Sequence, residues 1–394
     1  MKKLFTLAAA SVLAAGTLSA QAQVAVDGVL NAAEIGAANS GRYVLVGKFT
    51  SPRGFGDWGL MSLYVANTAN KVYFFVGGTV ENGGGNNSFQ LFLDLPGVTG
   101  ASASPVALPA PVGTGTSFAG MVAKMDIAPD LALAIKGNGT GTGGNAGTIV
   151  PQAVVYTSAT AAVDRDLAPE LPNSGAATPV AATATAAPFN RLAGARMAYR
   201  NTTDGKILTN PGNTAPNTGA TYGAAGSFGW EIELDRTALG VTVPGAIGVF
   251  VLQNNGGGDF LSTDFIPQST NPPAGNLGSA GTVDFATIAG TQRATFNVVA
   301  LGTKAADEAS VAMNVYPNPA EGSATVAYNV AGRSEKVSIV LTDLVGRQVQ
   351  VLENSLQSAG VKTTEVNTAT VGAGTYLVRV QVGDKVAVRK VVLL

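Results

Sequence analysis

The chain has 394 residues, with 24 Lys and Arg against 25 Asp and Glu, so its net charge at neutral pH is −1. This length allows two or more domains, and the slight charge argues against a nucleic-acid partner. Cysteine and histidine are both missing, which excludes disulfides, Ser-His-Asp and Cys-His catalytic sites, and zinc sites with His or Cys ligands. Any remaining chemistry would use carboxylates, Lys, Tyr, Ser or Thr, or oxygen-bound Ca²⁺ or Mg²⁺.

Residues 1–22 have the pattern of a secretory signal peptide. Lys2 and Lys3 give a positive start, residues 4–18 form an apolar run, and Ala-Gln-Ala at 20–22 supplies the small residues needed for cleavage. The apolar run is too short for a comfortable membrane span. We therefore expect the mature chain to begin near Gln23 and to contain no transmembrane segment.

Residues 23–300 form a body whose apolar patterns are typical of short β-strands. Residues 61–65 and 71–76 are rich in β-formers and are separated by turn residues, which predicts a hairpin. Residues 89–94 are predicted to form another strand, and residues 248–252 to form a fully buried one. These strands favour an all-β fold with a large β-sandwich body.

Residues 98–227 are rich in Ala, Gly, Thr, Pro and Asn, and this composition favours turns and long surface loops over packed structure. Short strands are expected within this stretch at 153–156 and 195–199. Residues 131–135 are too few to decide between helix and strand. The prediction for the body is therefore a sandwich with long Gly/Ala/Thr-rich loops.

Residues 230–235 alternate strictly between apolar and acidic side chains. Trp230 is expected in the core, because it shares a strand face with the apolar members of the series. Glu231, Glu233 and Asp235 are expected on the exposed face, where they resemble the carboxylate row of a glycoside hydrolase. Exposed sandwich faces carry such rows more often than active sites do, so we predict a protein that is not an enzyme.

A composition change near residue 301 indicates a second domain. Residues 311–394 hold 7 of the 50 glycines and have a net charge of +2, whereas residues 23–310 have a net charge of −5. We expect a linker at 301–310, followed by short strands at 324–329, 337–342, 376–382 and 385–393. This spacing predicts a small C-terminal Ig-like β-sandwich of about seven strands.

Four ordered motifs in this tail resemble a known family. They are Val-Tyr-Pro-Asn-Pro-Ala at 315–320, Asp-Leu-Val-Gly-Arg at 343–347, Gly-Thr-Tyr-Leu-Val-Arg at 374–379 and Arg-Lys-Val-Val-Leu-Leu at 389–394. Together they resemble the type A C-terminal sorting domain of the type IX secretion system of Bacteroidetes. The residues that carry the resemblance are Tyr316, Pro317, Asn318, Pro319, Asp343, Gly346, Arg347, Gly374, Tyr376, Arg379 and Lys390.

This resemblance implies an export route. The chain would cross the inner membrane by its signal peptide, fold in the periplasm and cross the outer membrane by the type IX translocon. A sortase machinery would then commonly remove the tail, and the cargo would be released or joined to surface lipopolysaccharide. The alternative is an ordinary accessory sandwich, such as a fibronectin-like spacer.

The body shows a second resemblance, to family 9 carbohydrate-binding modules and the related DOMON-like sandwiches. Residues 26–35 resemble their opening, residues 61–76 and 89–94 their middle strands, and residues 229–240 their closing strand and turn. Ile35 stands where an aromatic residue is usual, and Asp235 and Arg236 replace the usual proline and aromatic pair. The resemblance implies a sandwich fold and glycan binding.

Two loops supply candidate ligand residues. Trp58 and Phe55 lie in a Gly-rich loop and are predicted to form an aromatic sugar platform; the alternative is a loop aromatic folded onto the sandwich edge. Asp259 and Asp264 follow two asparagines and a Gly triplet, and their oxygen atoms suit Ca²⁺. The alternative for this second loop is a solvated polar turn.

The sequence as a whole predicts a protein that is secreted or displayed on the outer-membrane cell surface. Its body is expected to be a non-catalytic binding module, with glycans as ligands. A structural surface or matrix protein is the main alternative, and a carboxylate-based glycoside hydrolase is the third.

Overall fold

The computed structural model describes residues 24–298, except 39, 69, 83–85, 140–146, 214–221, 242–244 and 274. It also describes residues 310–394, except 332–333, 344–346, 368–370 and 384. The predicted signal peptide and nearly all of the predicted linker lie outside the described residues. Among the described residues, no helix is long and apolar enough to cross a membrane.

The regular secondary structure of the body is mainly β-strand, as predicted. Its strands are β1 Val44–Lys48, β2 Gly59–Asn67, β3 Lys71–Thr79, β4 Ser88–Asp94, β5 Val112–Gly113, β6 Leu131–Gly137, β7 Thr148–Ser158, β8 Ala161–Asp166, β9 Leu171–Pro172, β10 Thr178–Pro179, β11 Arg196–Tyr199, β12 Gly229–Asp235, β13 Gly245–Asn254, β14 Phe260–Ile266, β15 Gly278–Ser279 and β16 Ala294–Val298. The helical pieces are α1 Arg236–Leu239 and the 3₁₀ turns Ala32–Glu34, Ala182–Thr185, Phe189–Leu192, Ile207–Thr209, Ala280–Thr282 and Phe285–Thr287.

These strands form two sheets that pack face to face. The six-stranded sheet has the order β1-β2-β3-β12-β11-β10, and the ten-stranded sheet has the order β15-β14-β13-β4-β6-β7-β8-β5, with β16 paired to β13 and β9 to β7. The predicted hairpin is confirmed, because β2 and β3 are antiparallel neighbours. Trp230 lies fully buried between the sheets, as predicted. Residues 131–135, left undecided above, belong to strand β6.

A third layer covers the outer face of the ten-stranded sheet. Strands β4 and β13 carry apolar side chains on both faces, so Phe92 and Phe250 point away from the inter-sheet core and need their own cover. Phe118 and Met125 from residues 101–130 supply it, together with Phe285. The expectation that residues 98–227 form mainly surface loops is therefore wrong for residues 101–130, which are packed because the sheet beneath them is apolar.

The N-terminal residues 24–43 cover the outer face of the six-stranded sheet. Val24, Val26 and Leu30 are buried there against Tyr64 and Phe75 of strands β2 and β3. The expectation of an exposed carboxylate face on β12 is therefore wrong, because Glu231 is completely buried beneath this segment. Glu233, which is paired with Arg196 and Lys71, is only 4% exposed. The alternating sequence pattern nevertheless predicted correctly that Glu231 and Glu233 lie on the face of β12 that points away from the inter-sheet core.

The tail is a separate seven-stranded sandwich, as predicted. Its strands are β17 Asn314–Tyr316, β18 Ser323–Val330, β19 Glu335–Thr342, β20 Gln348–Gln357, β21 Gly360–Asn367, β22 Gly374–Val382 and β23 Lys385–Leu393. They form a three-stranded sheet β17-β18-β21 and a four-stranded sheet β20-β19-β22-β23. Tyr328, Ile339, Val378 and Val391 are buried between these sheets. Strands β22 and β23 are antiparallel neighbours that pair up to Val382 and Lys385.

Candidate functional site

Three connections of the body meet at one end of the sandwich. Direct contacts join them: Phe55 stacks on Phe260, and the Trp58 indole N–H donates to the Gly205 carbonyl oxygen. We call residues 49–58, 200–213 and 255–260 the loop end. It contains both predicted ligand residues and Asp259 of the predicted metal pair, with Asp264 directly beneath it.

Phe55 is half-buried and stacks on Phe260, with ring centroids 6.3 Å apart and an angle of 19° between the ring planes. Phe260 is 41% exposed. The pair therefore forms a partly solvent-exposed aromatic surface. Phe260 was not among the predicted ligand residues, because the sequence around it does not show that it meets Phe55.

Trp58 lies against the neighbouring loop. Its indole N–H donates to the carbonyl oxygen of Gly205 at 3.1 Å, and the ring is half-buried. The adjacent Asp57 carboxylate pairs with the Lys206 ammonium at 2.9 Å. Trp58 is therefore anchored to the neighbouring loop, with its ring partly exposed.

Asp264 fastens the base of the loop that carries Phe55. Its buried carboxylate accepts from the N–H groups of Gly54 and Leu60 at 3.1 and 3.3 Å, and from the Ser262 hydroxyl at 2.9 Å. Burial raises the pKa of Asp264 to about 6, against the lowering effect of these donors. A side chain at Gly59 would clash with this carboxylate, so the close approach requires glycine.

Asp259 is placed differently from Asp264. It is exposed, and its carboxylate accepts from the side-chain amide of Asn255 at 2.7 Å. The two predicted calcium ligands thus have separate hydrogen-bond partners. Within the described part of the chain, no group of three or more acidic side chains lies close enough to hold a metal ion.

The carboxylates of strand β12 each have structural partners. Glu231 accepts from the Tyr43 hydroxyl at 2.7 Å and from the N–H groups of Asp27 and Gly28 at 2.9 and 3.0 Å, and burial raises its pKa to about 8.

The next two carboxylates along the strand are equally engaged. Glu233 pairs with Arg196 at 2.6 Å and with Lys71 at 3.4 Å. Asp235 accepts from the first N–H groups of helix α1. These three carboxylates therefore do not provide the accessible pair of acidic groups that a glycoside hydrolase needs.

In the tail, the first and last motifs meet. The side-chain amide of Asn318 donates to the carbonyl oxygen of Lys390 at 2.8 Å, and its oxygen accepts from the Val392 N–H at 2.9 Å. Ala320 also exchanges backbone hydrogen bonds with residues 392 and 394, each at 2.9 Å. We call this contact the Asn318 clasp. Tyr316, Pro317 and Pro319 around it are exposed.

The two middle motifs shape the ends of strands. The backbone N–H and guanidinium of Arg347 donate to the Asp343 carboxylate at 2.9 and 3.0 Å, which ties the end of β19 to the start of β20. Gly346 lies outside the described residues. The Tyr376 hydroxyl donates to the Gly372 carbonyl oxygen at 2.8 Å. The Tyr376 ring folds so closely over Gly374 that a Cβ there would approach it to 3.3 Å.

Both domains are thus β-sandwiches, and the tail presents all four predicted motifs on one compact unit. Residues 314–394 match a family described as the secretion system C-terminal sorting domain. This match confirms the resemblance of the tail to type IX sorting domains and implies a type IX secreted protein, handled by that secretion machinery and located at the cell surface or outside the cell.

Two solved structures show only faint similarity to the whole chain. One is dimeric latent PorU from Porphyromonas gingivalis, at 11% identity and a TM-score of 0.19, covering 89% of this chain and 34% of that one. The other is the BSP domain of a biofilm associated protein, at 7% identity and a TM-score of 0.18, covering 92% of this chain and 53% of that one. The chain thus spans about a third and about half of their lengths. No curated protein matches the chain.

Proposed function

We propose that the body is a non-catalytic binding module and that its loop end binds a glycan. The observation that carries this proposal is the stacked, partly exposed pair of Phe55 and Phe260. Sugars present C–H-rich faces that pack on aromatic rings, while their hydroxyl groups need polar partners at the rim. Asn255 and Asp259 provide such polar groups beside Phe260.

Rigidity of the loop supports the same proposal. Asp264 holds both ends of residues 54–60, through the N–H groups of Gly54 and Leu60. Trp58 is tied to the Gly205 carbonyl oxygen, so the loop is fixed at a third point. A surface held in its binding conformation loses little entropy when a ligand binds, which favours recognition by a small aromatic platform.

Calcium at Asp259 and Asp264 stays a prediction. Asp264 accepts three protein hydrogen bonds, so a cation would have to compete with the donors of the Phe55 loop. Asp259 is exposed, and its carboxylate accepts a hydrogen bond from the Asn255 side chain. If calcium contributes to binding, we expect Asp259 to be the accessible ligand.

A glycan array probed with the mature protein, with and without Ca²⁺, tests this function. We expect binding to a subset of glycans, and loss of it in the Phe55→Ala, Phe260→Ala double variant. Leu45→Ala is the matched control, because Leu45 is 44% exposed on strand β1, outside the loop end. A correctly folded protein that binds no glycan under either condition would sink the proposal.

The two alternatives rest on features that the structure uses otherwise. A matrix or coat protein would make its protein contacts through the Ala/Gly/Thr-rich loops of residues 98–227, and part of this stretch, around Phe118 and Met125, is packed on the ten-stranded sheet. The carboxylate row of a hydrolase would be Glu231, Glu233 and Asp235. Glu231 is buried beneath the N-terminal segment, Glu233 is paired with Arg196, and Asp235 caps helix α1. Glycan hydrolysis that is lost in a Glu231→Gln, Glu233→Gln variant would be needed to favour the enzyme.

We further propose that the signal peptide and the tail are both removed, and that the body is released or joined to surface lipopolysaccharide by a sortase machinery. The support is the sorting-domain match of residues 314–394. Mass spectrometry of the protein recovered from cells and from medium tests this. Recovery of full-length tail on the mature, surface-exposed form would contradict removal.

A further inference from the structure

The outer face of the four-stranded tail sheet combines aliphatic and basic side chains. On strand β22, Val378, Val380 and Val382 are buried, so Leu377 and Arg379 point outward. On strand β23, Ala387 and Val391 are buried, so Val388 and Lys390 point outward as well. The aliphatic members are half-buried, whereas Arg379 and Lys390 are exposed.

Strand register brings the two cations together. Leu377 lies opposite Lys390, and Arg379 lies opposite Val388, so Arg379 and Lys390 are diagonal neighbours. Diagonal neighbours on one sheet face have side chains that begin about 7 Å apart. Neither cation forms an ion pair with any residue that the structure describes.

The Asn318 clasp fixes one of these cations. Strand β23 lies at the edge of its sheet, so the backbone N–H and C=O groups on its outer side have no neighbouring strand of that sheet to pair with. Asn318 takes up the carbonyl oxygen of Lys390 itself and the N–H of Val392. The motif at 315–320 thus holds the strand that carries Lys390, although more than seventy residues separate them in sequence.

We propose that this face, defined by Val340, Leu377, Arg379, Val388 and Lys390, docks onto an acidic patch of a protein of the type IX export machinery. The inference rests on the sorting role of the tail. Two unpaired cations flanked by aliphatic side chains complement carboxylates set in an apolar surface. Attraction to an anionic membrane commonly needs clusters of four to eight basic residues, which this face does not offer.

Charge reversal tests the proposal in a bacterium that has the translocon. Arg379→Glu and Lys390→Glu should each lower the amount of protein released to the medium by about tenfold or more, because they place like charges in contact. Lys362→Glu is the control, since it changes the tail charge equally but lies on strand β21 of the other sheet. Unchanged release in the Arg379→Glu, Lys390→Glu double variant, or an equal fall in Lys362→Glu, would overturn the proposal.

Folding and the identity of the partner need separate readouts. Circular dichroism melting of each purified variant checks the fold, and the neutral pair Arg379→Gln, Lys390→Gln replaces any reversed variant that fails to fold; it should also reduce release.

Asn318→Ala should speed exchange of the Val392 N–H about tenfold and reduce release with the core intact. Unchanged release of the Asn318→Ala variant would contradict a role of the Asn318 clasp in docking.

Two further controls separate this inference from neighbouring ones. Purified protein should not sediment with vesicles of phosphatidylglycerol and phosphatidylethanolamine; sedimentation that depends on Arg379 and Lys390 would replace the protein partner by a lipid and overturn the proposal. Deletion of residues 311–394 should block release altogether. If deletion blocks release and the charge variants do not, the docking face is wrong while the sorting role stands.

Discussion

Replacing Glu231 by Ala perturbs the buried contact that holds the N-terminal segment on the sheet. The variant leaves the Tyr43 hydroxyl and the N–H groups of Asp27 and Gly28 without their acceptor. A buried donor without a partner costs about 1–3 kcal/mol, and neighbouring losses are partly shared through relaxation. We therefore expect the free energy of unfolding of the body to fall by about 3–5 kcal/mol.

Urea unfolding followed by tryptophan fluorescence measures this loss, because Trp230 lies buried on the same strand as Glu231. Hydrogen exchange supplies the local readout at the Asp27 and Gly28 amides, which should exchange faster. Asp235→Ala is the control, since its half-exposed carboxylate caps helix α1 and forms a partly exposed ion pair with Lys71 at 3.5 Å, and its loss should cost about 1 kcal/mol. A loss below about 1 kcal/mol in Glu231→Ala, with unchanged exchange, would refute the reasoning.

Three further predictions concern the same body. Burial raises the pKa of Glu231 from 4.5 to about 8, so the folded state keeps a proton that the unfolded state has lost; stability should fall as pH rises through this window, and Glu231→Gln should flatten the fall in parallel melts. Phe118→Ala should cost about 3–5 kcal/mol in urea unfolding, because the ring is buried against Phe92; a loss below about 0.5 kcal/mol would mean that residues 101–130 are a surface loop. Asp264→Asn should speed exchange of the Gly54 and Leu60 amides about tenfold, and unchanged exchange would contradict its role at the loop base.

Strands with clear alternation or β-rich composition were predictable from the sequence. Residues 61–65, 71–76 and 89–94 form strands as expected, and the tail has the expected seven strands. Local patterning suffices here, because side chains alternate between the two faces of any strand. Pattern alone does not say what covers each face. Glu231 was placed on the correct face of β12, but its burial depends on residues 24–43, some two hundred positions away.

The third layer and the loop end show the same limit. Phe118 and Met125 lie in an irregular segment without a repeating apolar period. The composition therefore indicated surface loops, although these side chains cover the outer face of the ten-stranded sheet. Phe55 was recognised as a candidate, but its partner Phe260 comes from a connection in the other sheet. Asp264 was selected for its carboxylate and serves as the hydrogen-bond acceptor for the Phe55 loop. Such pairings are set by the packing of two sheets and leave no local signal.

The central claim is that residues 311–394 direct this protein out of the cell, and deletion of this tail tests it most directly. The truncated and full-length chains are expressed in a bacterium that has the type IX translocon, and the protein is quantified in the medium, at the cell surface and in the periplasm. The tail matches the sorting-domain family from residue 314 to the end, so we predict that the truncated body accumulates in the periplasm. Truncated protein that reaches the medium at the level of the full-length chain would contradict the claim.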